Sequence, residues 1–165
     1  MIFSSTRFSL LIAALLPLSS IACGGSDSTS LEPVATTPLA GMIDGKSFKA
    51  TSAIGVVLDP SSGKRFITIS GTGISCAMSN IEGAAVLTQV AWKEGTAIPF
   101  DSQNNATLSF PSGTTIQNNV ALTGRIEVIK APTTVGAKGT LRLRAVVDDK
   151  NTVEGEVDVE ICPDF

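Results

Sequence analysis

Two segments near the C-terminus restrict the fold more than anything else in the chain. In Leu141-Arg142-Leu143-Arg144-Ala145-Val146-Val147 every odd position is apolar, and in Val153-Glu154-Gly155-Glu156-Val157-Asp158-Val159-Glu160-Ile161 the odd positions again carry Val, Gly or Ile. A period of two sends alternate side chains to opposite faces of an extended strand, so both segments read as antiparallel strands with one buried and one wet face. Asp148-Asp149-Lys150-Asn151-Thr152 between them reads as a turn. Pairing Val147 with Val153 then sets Ala145 opposite Gly155, Leu143 opposite Val157 and Leu141 opposite Val159 on the inner face. Outside, it sets Arg144 opposite Glu156 and Arg142 opposite Asp158, so charges of opposite sign meet across the ladder. A slip of one residue buries the charges.

The pattern recurs upstream in shorter runs. Val120 to Val128 reads as a strand with Val120, Leu122, Ile126 and Val128 inward and Thr123, Arg125 and Glu127 outward. Earlier strands are expected at 40–43, at 47–58 with an interruption near Gly55, and at 65–71, with Asp44-Gly45 as a hairpin turn. Others are expected at 97–100 and 106–110. The run 81–92 fits either a short helix or a buried strand, and its Gly83, Val86, Thr88 and Val90 favour the strand. About nine short strands separated by turn residues predict an all-β domain, an antiparallel β-sandwich or a flattened barrel.

The first residues belong to no such pattern. Residues 1–22 hold one positive charge at Arg7, an apolar run from Phe8 to Leu16 too short to span a bilayer, then Pro17 and small residues, the layout of an export signal. Ser20-Ile21-Ala22-Cys23 resembles the lipobox of bacterial lipoproteins, in which a peptidase cuts before a cysteine that carries diacylglycerol. The lipobox usually has Leu where Ser20 stands. The resemblance implies lipidation of Cys23 and membrane attachment through acyl chains, each buried methylene adding about 0.8 kcal/mol. The alternative is an ordinary secretory signal that leaves Cys23 as a thiol. Gly24 after the cysteine resembles the pattern of lipoproteins sent to the outer membrane. Residues 23–38, rich in Gly, Ser, Thr and Pro, read as a disordered, lipid-anchored tether with a reach on the order of 20 Å, leaving 39–165 as one domain.

Arg7 departs with the signal, which takes the 12 basic side chains to 11 against 15 acidic ones and the net charge from −3 to −4. An acidic chain without clustered Lys and Arg argues against nucleic acid as a partner. Cys76 and Cys162 form an even pair in an exported chain and read most simply as one disulfide. A redox or metal pair is the weaker reading, since there is no Cys-x-x-Cys and no histidine in the chain.

The same lack of histidine and tyrosine removes Ser-His-Asp and Cys-His catalysis. Gly73-Ile74-Ser75-Cys76-Ala77 is a nucleophile elbow without its last glycine and reads as a strand end. Gly41 to Ser47 looks like a phosphate loop with the first glycine misplaced, and reads as a hairpin. Asp148, Asp149 and Asn151 offer hard oxygens to a metal such as Ca2+, as do Asp101, Asn104 and Asn105, though Asp and Asn are also ordinary turn residues. Glu154, Glu156, Asp158 and Glu160 supply carboxylates for hydrolysis, but on an exposed strand face opposite Arg142 and Arg144. Trp92, Phe48, Phe66, Phe100 and Phe110 read as core.

Asp44-Gly45-Lys46-Ser47-Phe48-Lys49-Ala50 and the closing stretch from Lys138-Gly139-Thr140-Leu141 to Cys162 resemble small bacterial lipoproteins grouped as domains of unknown function. That resemblance implies an all-β envelope protein and brings no catalytic residues. The expectation is a non-catalytic lipoprotein of the cell envelope acting as a structural, adaptor or interaction module without a cofactor. Its partners would be the membrane, through the anchor, and an envelope protein. The alternatives are a module binding a small ligand (carbohydrate, lipid or Ca2+) and, last, a carboxylate hydrolase.

Overall fold

The two alternating segments form the longest strands, and the rest of the sheet is arranged round them. The computed structural model describes residues 32–77 and 81–163, so residues 1–22, expected to be an export signal, Cys23 and residues 24–31 lie outside the described residues. The elements are all strands: β1 (Ala40–Ile43), β2 (Lys46–Lys49), β3 (Ser52–Asp59), β4 (Lys64–Ser70), β5 (Ala85–Ala91), β6 (Ala97–Pro99), β7 (Ala106–Ser112), β8 (Thr115–Ala121), β9 (Thr123–Lys130), β10 (Lys138–Asp148) and β11 (Asn151–Ile161). They form one curled sheet in the order β6-β9-β10-β11-β3-β4-β5-β7-β8, with the β1–β2 hairpin attached to β11. β8, at one end of this path, passes through the single residue Leu122 into β9, second from the other end, and the sheet curls round as a half-barrel.

The neighbours are antiparallel except β11 and β3, which run parallel with Val159 beside Ala53 and Ile161 beside Gly55. One edge of β11 is shared: its first residues, Thr152 to Glu154, pair with β1, and its last, Val159 to Ile161, with β3. The inward side chains build a single core that includes Ile67, Ile69, Val86, Leu108, Ile126, Leu141 and Leu143, all essentially without solvent contact. Each such side chain contributes about 1.5–3 kcal/mol by leaving water. Cys76, in the loop after β4, is bonded to Cys162, just past β11, across a sequence separation of 86.

The faces of β10 and β11 are as the alternation predicts except at Val147, which is exposed at a bulge, but the register is two residues away. Ala145 pairs with Val153, Leu143 with Gly155 and Leu141 with Val157, which places Arg144 opposite Glu154 and Arg142 opposite Glu156. The turn is tighter than the five polar residues suggest: Asp148 already pairs with Asn151, after a bulge at Val147. Asp148 Oδ1 accepts hydrogen bonds from the Lys150 amide (2.9 Å) and from Asn151 Nδ2 (3.0 Å), and these fix the short turn. A two-residue shift preserves both faces, which is why alternation alone is blind to it.

Four other expectations need correction. The stretch 47–58 is two strands, divided at Ala50-Thr51, where the chain leaves β1 and the Thr51 amide turns to the Ser70 carbonyl (2.9 Å). Gly55 lies inside β3 and is no interruption. A Cβ there would sit 3.0 Å from Ile67 Cδ1, so the glycine serves close packing. The Val120–Val128 segment is broken at Leu122, where the parity switches: Ala121 is buried while Val120 and Leu122 are exposed. Phe66 is half-buried on the outer face, whereas Phe48, Phe100, Phe110 and Trp92 are core. The run 81–92 contains strand β5, as its β-branched residues predict.

The segment 32–38, assigned to the tether on composition, belongs to the domain. Val34 is 3% exposed, the Glu156 amide donates to the Thr37 carbonyl (2.7 Å), and the Leu39 amide donates to the Glu156 carbonyl (2.8 Å). Gly155 makes the approach possible. It has φ 139°, and a Cβ there would lie 2.5 Å from the Thr37 oxygen. A few backbone bonds and one buried valine outweigh what a Pro- and Thr-rich composition suggests.

Candidate interaction surface

The outside of the sheet is divided by charge. On β9, β10 and β11 the outward rows are ionic. Glu127, Arg142 and Glu156 stand side by side across the three strands, as do Arg125, Arg144 and Glu154. Arg142 Nε lies 2.8 Å from Glu156 Oε2, Arg144 Nη2 2.7 Å from Glu154 Oε1, and Arg125 Nε 2.8 Å from Glu127 Oε1. Arg144 also donates to the Pro33 carbonyl (3.2 Å), and Glu154 accepts from the Ala35 amide (2.9 Å), so this pair clamps the N-terminal segment. The Arg144 hydrogen bond, aided by the Ala35 amide, holds the Glu154 carboxyl below the usual carboxylate range against the opposing cost of burial. The same bond to Glu154 raises the Arg144 guanidinium.

Two of the four carboxylates considered for hydrolysis, Glu154 and Glu156, are these partners. Glu154 and Glu156 are held by arginines and Asp158 accepts from Thr140 Oγ1 (3.3 Å), so the row is a charge ladder on an open strand face. The oxygen clusters considered for calcium are turns. Asn151 Oδ1 accepts from the Asp44 amide (2.9 Å), tying the β10–β11 turn to the β1–β2 turn, and Asp148 is engaged as described. Asp149 is exposed at the tip. Asp101 Oδ1 accepts from the Gln103 and Asn104 amides (2.7 Å each). These bonds, that from Asn104 first, lower its pKa. Among the described residues no group of three or more His, Cys, Asp or Glu side chains converges as a metal cluster.

Strands β5, β7 and β8 present a different face. From Ser102 to Gly124 there is no charged residue, and β5 carries none either. Their pairing aligns Leu87 with Thr107 and Val120, and brings Ser109 beside Asn118 and Pro111 beside Ile116. Ser109 Oγ donates to Asn118 Oδ1 (2.6 Å), and Ile81, Leu87, Pro111 and Ile116 line a shallow hollow of about 310 Å³. Ile116 is 67% exposed, Leu122 54% and Val120 49%. Ile116 and Val120 thus stand open on an uncharged sheet face, with Leu122 exposed just past its end.

The edge matters as much as the face. Among the described residues β8 pairs with β7 alone, so its other edge offers a row of backbone donors and acceptors. The other open edges among the described residues are guarded: β6 has three residues and ends in Pro99, and β2, paired there only with β1, carries Lys46 and Lys49. Short length, proline and lysine are the usual devices against strand addition, and β8 has none of them. Sequence reasoning missed β8 because Thr115-Ile116-Gln117-Asn118-Asn119 has no buried alternation. The signal available was the long absence of charge.

A second concavity opens where the β1–β2 hairpin lies against β7. It measures about 240 Å³, with Ile43, Phe48, Phe110 and Pro111 below and Lys46 and Lys49 at the rim. Fold and surface together define an all-β, disulfide-bonded domain with an ionic flank and an uncharged flank that ends in an open strand. Compared with family models, with curated proteins and with solved structures, the chain matches none.

Proposed function

We propose that this protein is a non-catalytic lipoprotein of the cell envelope, held on the outer membrane by acyl chains on Cys23, whose β domain is an interaction module. The observation that carries the reading is the uncharged face of β5, β7 and β8 with its open edge, since an unguarded strand is a template for β-strand addition. The lipobox-like Ser20-Ile21-Ala22-Cys23 supplies the address. A disulfide suits an oxidising compartment outside the cytoplasm. In the mature chain the anchor precedes the first described residue, Glu32, by nine positions, so the domain stays close to the lipid surface.

The test is crosslinking of the full chain in cells, followed by mass spectrometry, with Cys23→Ala and Ile116→Lys/Val120→Lys as variants. Loss of membrane fractionation in the first and loss of the crosslinked partner in the second are the expected results. Unchanged fractionation of Cys23→Ala overturns the anchor, and unchanged capture by the lysine variant overturns the site. A second reading, a module for a small amphiphile, draws on the groove between Phe48 and Phe110 with its two lysines, which suits an acyl chain with an anionic head. Titration with fatty-acid anions, read by a shift in melting temperature that Phe110→Ala abolishes, separates it from the first.

A further inference from the structure

We propose that the partner of β8 is β8 of a second copy of this chain, paired antiparallel about a two-fold axis through Asn118. The inference rests on the reading of the uncharged face as an interaction site.

The strand is self-complementary in that register. With Asn118 opposite Asn118, Ile116 of one copy faces Val120 of the other on the outer surface, where Pro111 and Leu87 already make an apolar hollow. On the opposite surface Gln117 faces Asn119. β-Branched side chains meet β-branched side chains and amides meet amides, the cross-strand combinations that stabilise antiparallel pairs. An isologous contact of this kind uses one patch twice and closes after two copies.

Charge points to the same occupant. Two mature copies with a net charge of −4 each repel over most approaches, but the stretch from Ser102 to Gly124 lets the two strands meet with no charged residue in either. A strand pair of this length covers less than the roughly 1,600 Å² of a stable interface, so the association is weak in dilute solution. Anchoring both copies in one membrane raises their effective concentration without new contacts.

The experiment is disulfide trapping of the full, lipid-anchored chain carrying Asn118→Cys, in intact envelopes under mild oxidation, read on a non-reducing gel. Directly opposed residues of an antiparallel pair have Cα atoms about 4.5–5.5 Å apart, within reach of a disulfide. The parent chain and Asp158→Cys, whose new thiol sits on the ionic flank, are the controls. The expected result is a dimer with Asn118→Cys alone, reduced about tenfold when Ile116→Lys and Val120→Lys are added, since lysines then face lysines. A dimer no stronger than that of Asp158→Cys, or one indifferent to the lysines, overturns the proposal. If Asn118→Cys stays monomeric while the lysine variant loses a different envelope partner, self-pairing fails and the interaction module stands. If no partner is lost either, both fail. Both lysine positions are exposed, so an unchanged melting temperature verifies that the variant folds.

Discussion

Strands β9 to β11 and strands β5, β7 and β8 line the same core and differ on the outside. Under both flanks the inward residues are equally dry, Leu141 and Leu143 on one side, Val86 and Leu108 on the other. Outside, the first flank is covered by cross-strand ion pairs and by the docked segment 32–39, and the second by Ser, Thr, Asn and exposed Ile and Val. Ionic rows satisfy themselves within the sheet and present little for another molecule to gain. Uncharged rows ending at an open edge leave hydrogen bonds and apolar contact to be made elsewhere. The two flanks differ in whether the surface is already partnered.

The disulfide ties the flanks together, from the loop after β4 to the end of β11, and removing it is expected to have the largest effect. Cys76→Ala with Cys162→Ala should cost about 4–5 kcal/mol by the loop-entropy argument, read as a fall in melting temperature and an earlier denaturant midpoint. Next come Leu143→Ala and Leu108→Ala, one under each flank, at about 2–5 kcal/mol each. Comparable losses in chemical denaturation mean that the flanks differ only in their outer faces, whereas a much smaller loss for Leu108→Ala marks the uncharged flank as loosely packed.

Gly155→Ala should cost about 1–3 kcal/mol, because a Cβ at φ 139° meets the Thr37 carbonyl, and hydrogen exchange should report release of residues 33–39. The smallest effect is that of pH on the same clamp. The Glu154 carboxyl is depressed in the folded chain, so its pairing with Arg144 is complete above the unfolded value of about 4.3. It is lost as pH falls through the lower folded value. Exchange of the Ala35 amide should therefore quicken under acid, relative to its intrinsic rate, before the core opens, and Glu154→Gln should show the quickening already at neutral pH.

Much of the ionic flank was legible in the sequence. In β10 and β11 every second residue announces its face, and the opposite signs of Arg142, Arg144, Glu154 and Glu156 announce that the strands meet. The exact partners were not legible, because a shift of two residues preserves both the faces and the sign of every pair. Only Asp148, bonding across a short turn, selects among them. The uncharged flank was hardly legible. Edge strand β8 buries little, so it has no alternation to read, and the change of parity at Leu122 hides where one strand ends and the next begins.

The chain by itself determined the all-β class, the inward residues of its longest strands, the hairpin at Asp44-Gly45 and the pairing of Cys76 with Cys162. Each follows from a local rule: the two-residue period, a turn dipeptide, an even count of cysteines. Only the tertiary structure decided that segment 32–38 docks, that β11 shares one edge between β1 and β3, and that β8 has no partner strand on its second edge among the described residues. Those depend on which strands lie side by side, a matter of long-range packing that residues near one another in sequence do not encode.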